Sequence, residues 1–299
     1  MNQIELQQLV RERQIGTVSR RDFLIRATAV LGSAAAASTL LAACTPAAGG
    51  TPPPVVDATQ PAAEPGLEST GELETGVVTY PGPDSEQLMG YLAMPPGEQQ
   101  KPAVIVIQEW WGLNEHIKNV TRRFAEAGYV AFAPDLYHGQ VTTEPDEARK
   151  LAMELGMGDA VSEIQAAMAY LREQDYTTGQ VGIVGFCMGG GLVLQTAVAD
   201  NTLGAAVPFY GQPVSAADAG KITAPVLSFL GTEDGISAAN YEQMHQALEA
   251  NGIPNHFQLY EGAQHAFFND TRASYDPEAA ADAWTRTLAW FDEYLRPQV

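Results

Sequence analysis

The decisive stretch is Val181-Gly182-Ile183-Val184-Gly185-Phe186-Cys187-Met188-Gly189-Gly190-Gly191. It opens as an unbroken apolar run, suited to a strand buried on both faces. It then turns at Cys187 and enters a helical pattern over 188–199. Gly185 and Gly189 flank the cysteine as Gly-x-Cys-x-Gly. Strand, sharp turn and helix around such a residue form a nucleophile elbow, where small neighbours let strand and helix close on a strained turn. The helix N-terminus beneath Cys187 favours negative charge, on a thiolate or on an oxyanion. A dinucleotide turn is disfavoured, because Cys187 and Met188 stand where that turn needs no bulk.

Outward from the elbow, strands alternate with helices. Gly76–Tyr80 and Gln87–Met94 read as an opening hairpin and Ala103–Ile107 as a second doubly buried strand. A helix opens at Asn114 and stops at Gly128, and Tyr129–Ala133 is the next strand. Helical patterns cover 145–155 and 159–174. Further strands fall at 205–210, 225–230 and 256–260, with helices at 241–251 and 277–294. This alternation predicts an α/β fold, a mainly parallel sheet with helices on both faces.

The order of candidate groups after the elbow is that of the α/β-hydrolase fold: nucleophile, acid, histidine. Asp234 lies just past a strand and is favoured over Glu233 as the acid. His265 lies in a loop after the last strand. His116 and His245 read as helix-surface residues and His256 as a strand-start residue; no histidine set has metal-ligand spacing, so no metal and no cofactor are expected. The oxyanion donors would be the backbone N–H of Met188 and one at or near Trp110.

The remaining motifs carry a resemblance. Gln108-Glu109-Trp110-Trp111-Gly112, Pro134-Asp135-Leu136-Tyr137, the elbow, and Gly262-x-x-His265-x-Phe267 together resemble the dienelactone hydrolases (carboxymethylenebutenolidases) over about residues 73–296. The resemblance implies a Cys187–Asp234–His265 triad. It also implies that Glu109 holds the resting thiol by a hydrogen bond and helps deprotonate it. Tyr137 matches a family tyrosine near the site, and Trp110 and Trp111 would line the pocket, though core packing explains one of them equally well. One departure stands out. The family places a carboxylate-binding arginine shortly after the histidine, where this chain has Ala266-Phe267-Phe268-Asn269. Arg272 comes later, and Arg149 is the other arginine considered. The expected substrate is a small ester or lactone, cleaved through an acyl-cysteine. The alternatives are a broader carboxylesterase or thioesterase and a non-catalytic binding lipoprotein on the same scaffold.

The N-terminal part reads differently. Ser19-Arg20-Arg21-Asp22-Phe23-Leu24 resembles a twin-arginine export signal. An Ala-rich apolar run follows and ends in Leu41-Ala42-Ala43-Cys44, which resembles a bacterial lipobox. Residues 1–43 are therefore expected to be a signal segment, Cys44 a lipidation site, 44–72 a Pro/Ala/Gly/Thr-rich flexible linker, and 73–299 the hydrolase domain. The expected location is the extracytoplasmic face of a bacterial envelope, with the membrane as a partner through the lipid. The chain carries 16 basic and 36 acidic residues, a formal charge of −20. Such a surface repels phosphate backbones and argues against nucleic acid. A monomer is expected.

Overall fold

A computed structural model describes residues 66–69, 72–83 and 86–296. The stretch expected to be an export signal, Cys44 and most of the expected linker lie outside the described residues. Among the described residues, no helix is long and apolar enough to cross a membrane.

The strands are β1 (Gly66–Ser69), β2 (Glu74–Pro81), β3 (Gln87–Met94), β4 (Lys101–Ile107), β5 (Val130–Pro134), β6 (Thr177–Phe186), β7 (Ala205–Phe209), β8 (Val226–Glu233) and β9 (Asn255–Gln264). The helices are α1 (Glu115–Glu126), α2 (Pro145–Glu154), α3 (Met157–Arg172), α4 (Met188–Ala199), α5 (Ala216–Ala219), α6 (Ala238–Ala250) and α7 (Pro277–Leu295). The described strands form one nine-stranded sheet in the order β1-β2-β3-β5-β4-β6-β7-β8-β9. β1, β2, β3 and β5 pair antiparallel. From β5 through β9 every pairing is parallel. This is the α/β-hydrolase arrangement expected.

The two doubly apolar runs take the centre. Ala103 to Ile107 in β4 are fully buried, as are Ile183 and Val184 of β6. β6 shows the two-sided covering directly. A Cβ on Gly182 would strike Phe291 and Leu295 of α7, whereas one on Gly185 would strike Gly189 and Val193 of α4. Residues three apart on a strand face opposite sides, so α7 and α4 cover opposite faces. Phe124 of α1 packs on Trp284 and Phe291 of α7, which places α1 in the α7 layer.

Two expectations need correction. Gly66–Ser69 pairs with β2, Gly66 opposite Val77, although these residues were expected to be linker. The unpaired edge of β2 recruits a segment whose own composition gives no strand signal. His116 and His245 are on helices but are buried rather than surface residues. His116 Nδ1 meets Asp270 Oδ1 at 3.1 Å, and His245 bridges Asn255 at 2.7 Å and Ser228 at 2.9 Å. Burial lowers the pKa of both rings. Which face of a helix is covered depends on loops and strands that its own periodicity does not specify.

Candidate active site

The parallel strands deliver the site residues at their carboxyl ends, the usual place for function in such a sheet. Glu109 follows β4, Cys187 follows β6, Asp234 follows β8 and His265 follows β9. Tyr210, which no motif singles out, follows β7.

Cys187 has φ 55° and ψ −115°, a conformation costing on the order of 1–3 kcal/mol for a residue with a side chain. The surroundings enforce it. Cys187 N–H donates to Phe209 O at 3.1 Å, and Gly191 N–H donates to Cys187 O at 3.3 Å. A Cβ at Gly185 would lie 2.4 Å from Gly189 O, and one at Gly189 would lie 2.5 Å from Gln108 O. Only glycine lets α4 start this close to β4 and β6.

His265 Nδ1 donates to both oxygens of Asp234, at 3.0 and 3.1 Å. The Asp234 side chain is 0% exposed and the imidazole 39% exposed. Cys187 is close enough to His265 to act on its charge. Burial alone would lower its pKa, but the hydrogen bonds to Asp234 and the nearness of Cys187, with their charges, outweigh it and raise the pKa to about 10.

Glu109 is buried at 1% exposure. Its Oε2 accepts from Asn269 Nδ2 at 2.7 Å, while Oε1 has no hydrogen-bond partner. Asn269 Oδ1 accepts from the N–H and hydroxyl of Thr271, which fixes the amide with its Nδ2 toward Glu109. Burial raises the Glu109 pKa despite the Asn269 bond and the nearby charges of Arg272 and His265. Glu109 thus makes no hydrogen bond to the cysteine in this structure, where the resemblance implied one.

The rim is aromatic. Tyr137 donates its hydroxyl to Met188 Sδ at 3.4 Å; burial and then the charge of Cys187 push its pKa up to about 12. Asp135 holds that loop through the N–H groups of Tyr137 and Gly139, at 3.2 and 2.7 Å. Trp110 and Trp111 meet edge-on with centroids 4.9 Å apart. Neither tryptophan is buried in the core. Arg272 stacks on Trp111, its guanidinium carbon 4.0 Å from the ring centroid. Arg272 N–H donates to Asn269 O at 3.0 Å, a turn that brings the arginine back toward the site. Arg149 is instead a surface residue of α2, 4.0 Å from Asp146. Among the described residues no three His, Cys, Asp or Glu side chains gather as metal ligands.

Residues 88–295 match the model of the dienelactone hydrolase family. The chain belongs to that family. This family member is 38% identical over 248 residues to a candidate carboxymethylenebutenolidase of Synechocystis sp., a match covering 76% of this chain and all of the relative. It is 39% identical over 220 residues to protein usf of Aquifex pyrophilus, covering 70% and 94%. A candidate dienelactone hydrolase of Klebsiella pneumoniae superposes with TM-score 0.69 at 32% identity, over 74% of this chain and 99% of that one. A dienelactone hydrolase-like promiscuous phosphotriesterase from metagenomic libraries gives TM-score 0.69 at 25% identity, over 76% and 100%. This dienelactone hydrolase homologue is thus a carboxylic ester hydrolase acting on a small ester or lactone.

Proposed function

We propose that hydrolysis runs through an acyl-cysteine on Cys187, with His265 and Asp234 completing the triad. The observation that carries this is the buried Asp234 carboxylate holding His265 Nδ1, with Cys187 on the strained elbow near enough to raise the pKa of the imidazole. In the first half-reaction the sulfur attacks the carbonyl carbon. The N–H groups of Met188 and Trp110 hold the resulting oxyanion. His265 gives its proton to the departing oxygen as the C–O bond breaks. Water, losing a proton to His265, then attacks the thioester; the acid product leaves and the sulfur is restored. Tyr137 and Trp111 bound the substrate space. Arg272, stacked on Trp111 beside Glu109, supports an anionic substrate, because its planar fork suits a carboxylate. All these groups come from one chain, consistent with a working monomer.

The test is steady-state hydrolysis of an aryl ester and of a carboxylated lactone by wild type and Cys187→Ala, with mass spectrometry of enzyme quenched during turnover. Loss of activity in the variant and an acyl adduct on Cys187 in wild type are expected. Wild-type turnover by Cys187→Ala sinks the mechanism.

The export signal and lipobox support a second proposal: the domain is carried out folded and held at an envelope membrane by lipid on Cys44. A single acyl chain anchors only marginally, so at least two are required for firm binding. Cell fractionation should find wild type in the membrane pellet and Cys44→Ala in the soluble fraction. Soluble, uncut wild type would refute it.

A further inference from the structure

Two loops from strands that do not pair with each other are fastened together at three points. One runs from Glu109, after β4, into α1; the other is the turn 269–272 between β9 and α7. Glu109 Oε2 accepts from Asn269 Nδ2 at 2.7 Å. His116 Nδ1 meets Asp270 Oδ1 at 3.1 Å. The Arg272 guanidinium carbon lies 4.0 Å from the centroid of the Trp111 ring. The turn is closed on itself between these contacts. Asn269 Oδ1 accepts from the N–H and hydroxyl of Thr271, and Asn269 O accepts from Arg272 N–H at 3.0 Å. A turn so closed moves as a unit, so its tie at Asp270 bears on where Arg272 stands.

His116 is built to hold that tie. It is buried in the first turn of α1, whose start is fixed by the Asn114 side chain accepting from Ile117 N–H at 3.1 Å. Burial, with the charges of Arg123 and Arg272, outweighs the pull of Asp270 and lowers the pKa of the ring. The ring is therefore neutral, and since a carboxylate only accepts, its one proton sits on Nδ1. Nε2 is buried without a partner, a cost that a phenyl ring would not carry. Asp270 has a side chain 67% exposed, so the hydrogen bond to His116, and not burial, is what it adds. Acidic residues outnumber basic ones 36 to 16. Even so, among the described residues no carboxylate forms an ion pair with Arg272. Its fork lies on Trp111 unclaimed by the protein's own acids.

We propose that His116 and Asp270 are a positioning pair for Arg272: they tie the 269–272 turn to the start of α1 and so hold the guanidinium on Trp111, where it takes a substrate carboxylate. The pair then acts on the binding of anionic substrates and leaves neutral ones alone. The inference rests on the reading of Arg272 as the group that receives that carboxylate. It predicts a sign that charge alone would not. Removing a carboxylate beside a cationic subsite should by Coulomb's law strengthen the binding of an anion. Removing a carboxylate that positions the cation should weaken it.

The test compares Asp270→Ala, Asp270→Asn, Arg272→Ala and the double variant Asp270→Ala/Arg272→Ala. KM and kcat are measured for a carboxylated lactone and for a neutral aryl ester, with thermal melting as a check on folding. Asp270→Ala should raise KM for the lactone about tenfold, the effect of losing one hydrogen bond to a charged group, with kcat and the aryl ester KM close to wild type. Asp270→Asn removes the charge but keeps an oxygen that accepts from Nδ1–H, so its lactone KM should stay at or below the wild-type value. In the Arg272→Ala background, Asp270→Ala should add nothing. An unchanged or lowered lactone KM in Asp270→Ala, an equal rise for both substrates, or an equal rise in both backgrounds overturns the proposal. A wild-type lactone KM in Arg272→Ala, or no lactone turnover by wild type, means that the reading of Arg272 itself has failed. A raised KM in Arg272→Ala beside a normal Asp270→Ala means that only the role of the pair has.

Discussion

Both carboxylate oxygens of Asp234 converge on one nitrogen, Nδ1 of His265, at 3.0 and 3.1 Å. The acid is shut off from solvent while the imidazole is not. Such an acid fixes the plane and tautomer of the ring and leaves the second nitrogen for the sulfur. Asp234→Asn keeps the shape but offers an amide donor where the ring nitrogen needs an acceptor. The expected loss in kcat is about four orders of magnitude, as for the same change in a serine triad. KM should move little. Steady-state kinetics on an aryl ester measures both.

The same pair predicts a pH-dependent share of stability. The folded-state pKa of His265 is about 10, against 6.5 for the free side chain. A raised pKa stabilises the fold fully below pH 6.5, and the contribution is lost as pH rises through about 10. The stability gap between wild type and Asp234→Asn should therefore be widest at pH 6 and narrow toward pH 10. Denaturant unfolding of both at several pH values tests this, and a constant gap would contradict it.

Gly189→Ala tests the elbow without touching a reactive group. The new methyl would sit 2.5 Å from Gln108 O and 2.6 Å from Ile107 O, both backbone atoms that cannot step aside. Helix α4 must then move off β4. Overpacking of this kind costs about 1–3 kcal/mol. The shift also separates Met188 from Trp110, so most of the activity should go with it. Unfolding curves and kcat on the same preparation supply the check.

Arg272→Ala separates substrate charge from chemistry. If the guanidinium receives a substrate carboxylate, KM for a carboxylated lactone should rise about ten- to a hundredfold, the range for a hydrogen-bonded charge. A neutral aryl ester should be cleaved nearly as before. Paired KM values for the two substrates decide the matter, and equal changes for both would remove Arg272 from substrate recognition.

How far the sequence carries depends on where the physical cause resides. The cores of β4 and β6 were legible because a strand covered on both faces needs apolar residues at every position. The elbow was legible because Gly-x-Cys-x-Gly between an apolar strand and a helix is a local pattern; Gly185 answers to Gly189 and Val193 close by, whereas the need for Gly189 comes from Ile107 and Gln108, remote in sequence. Asp234 and His265 followed from order along the chain. Tyr210 was not legible as a site residue. Its place against the His265 ring comes from β7 lying between β6 and β8, and its positive φ belongs to a residue type that gives no hint of one. A tyrosine followed by glycine at a strand end was the one local sign. Arg272 was likewise hidden, because the turn through Asn269 returns it to Trp111. His116 and His245 were misplaced for the same reason, since their burying partners, Asp270 and Ser228, are remote in sequence.

The reactive groups hang from the ends of separate strands, and no two neighbours in the chain supply them. Any intermediate lacking one strand of the parallel run lacks a member of the set. Chemical competence thus requires all of those strands to be in place together. On the proposed mechanism, turnover would report on the completed parallel run, since a partly opened molecule would hold Cys187 apart from His265.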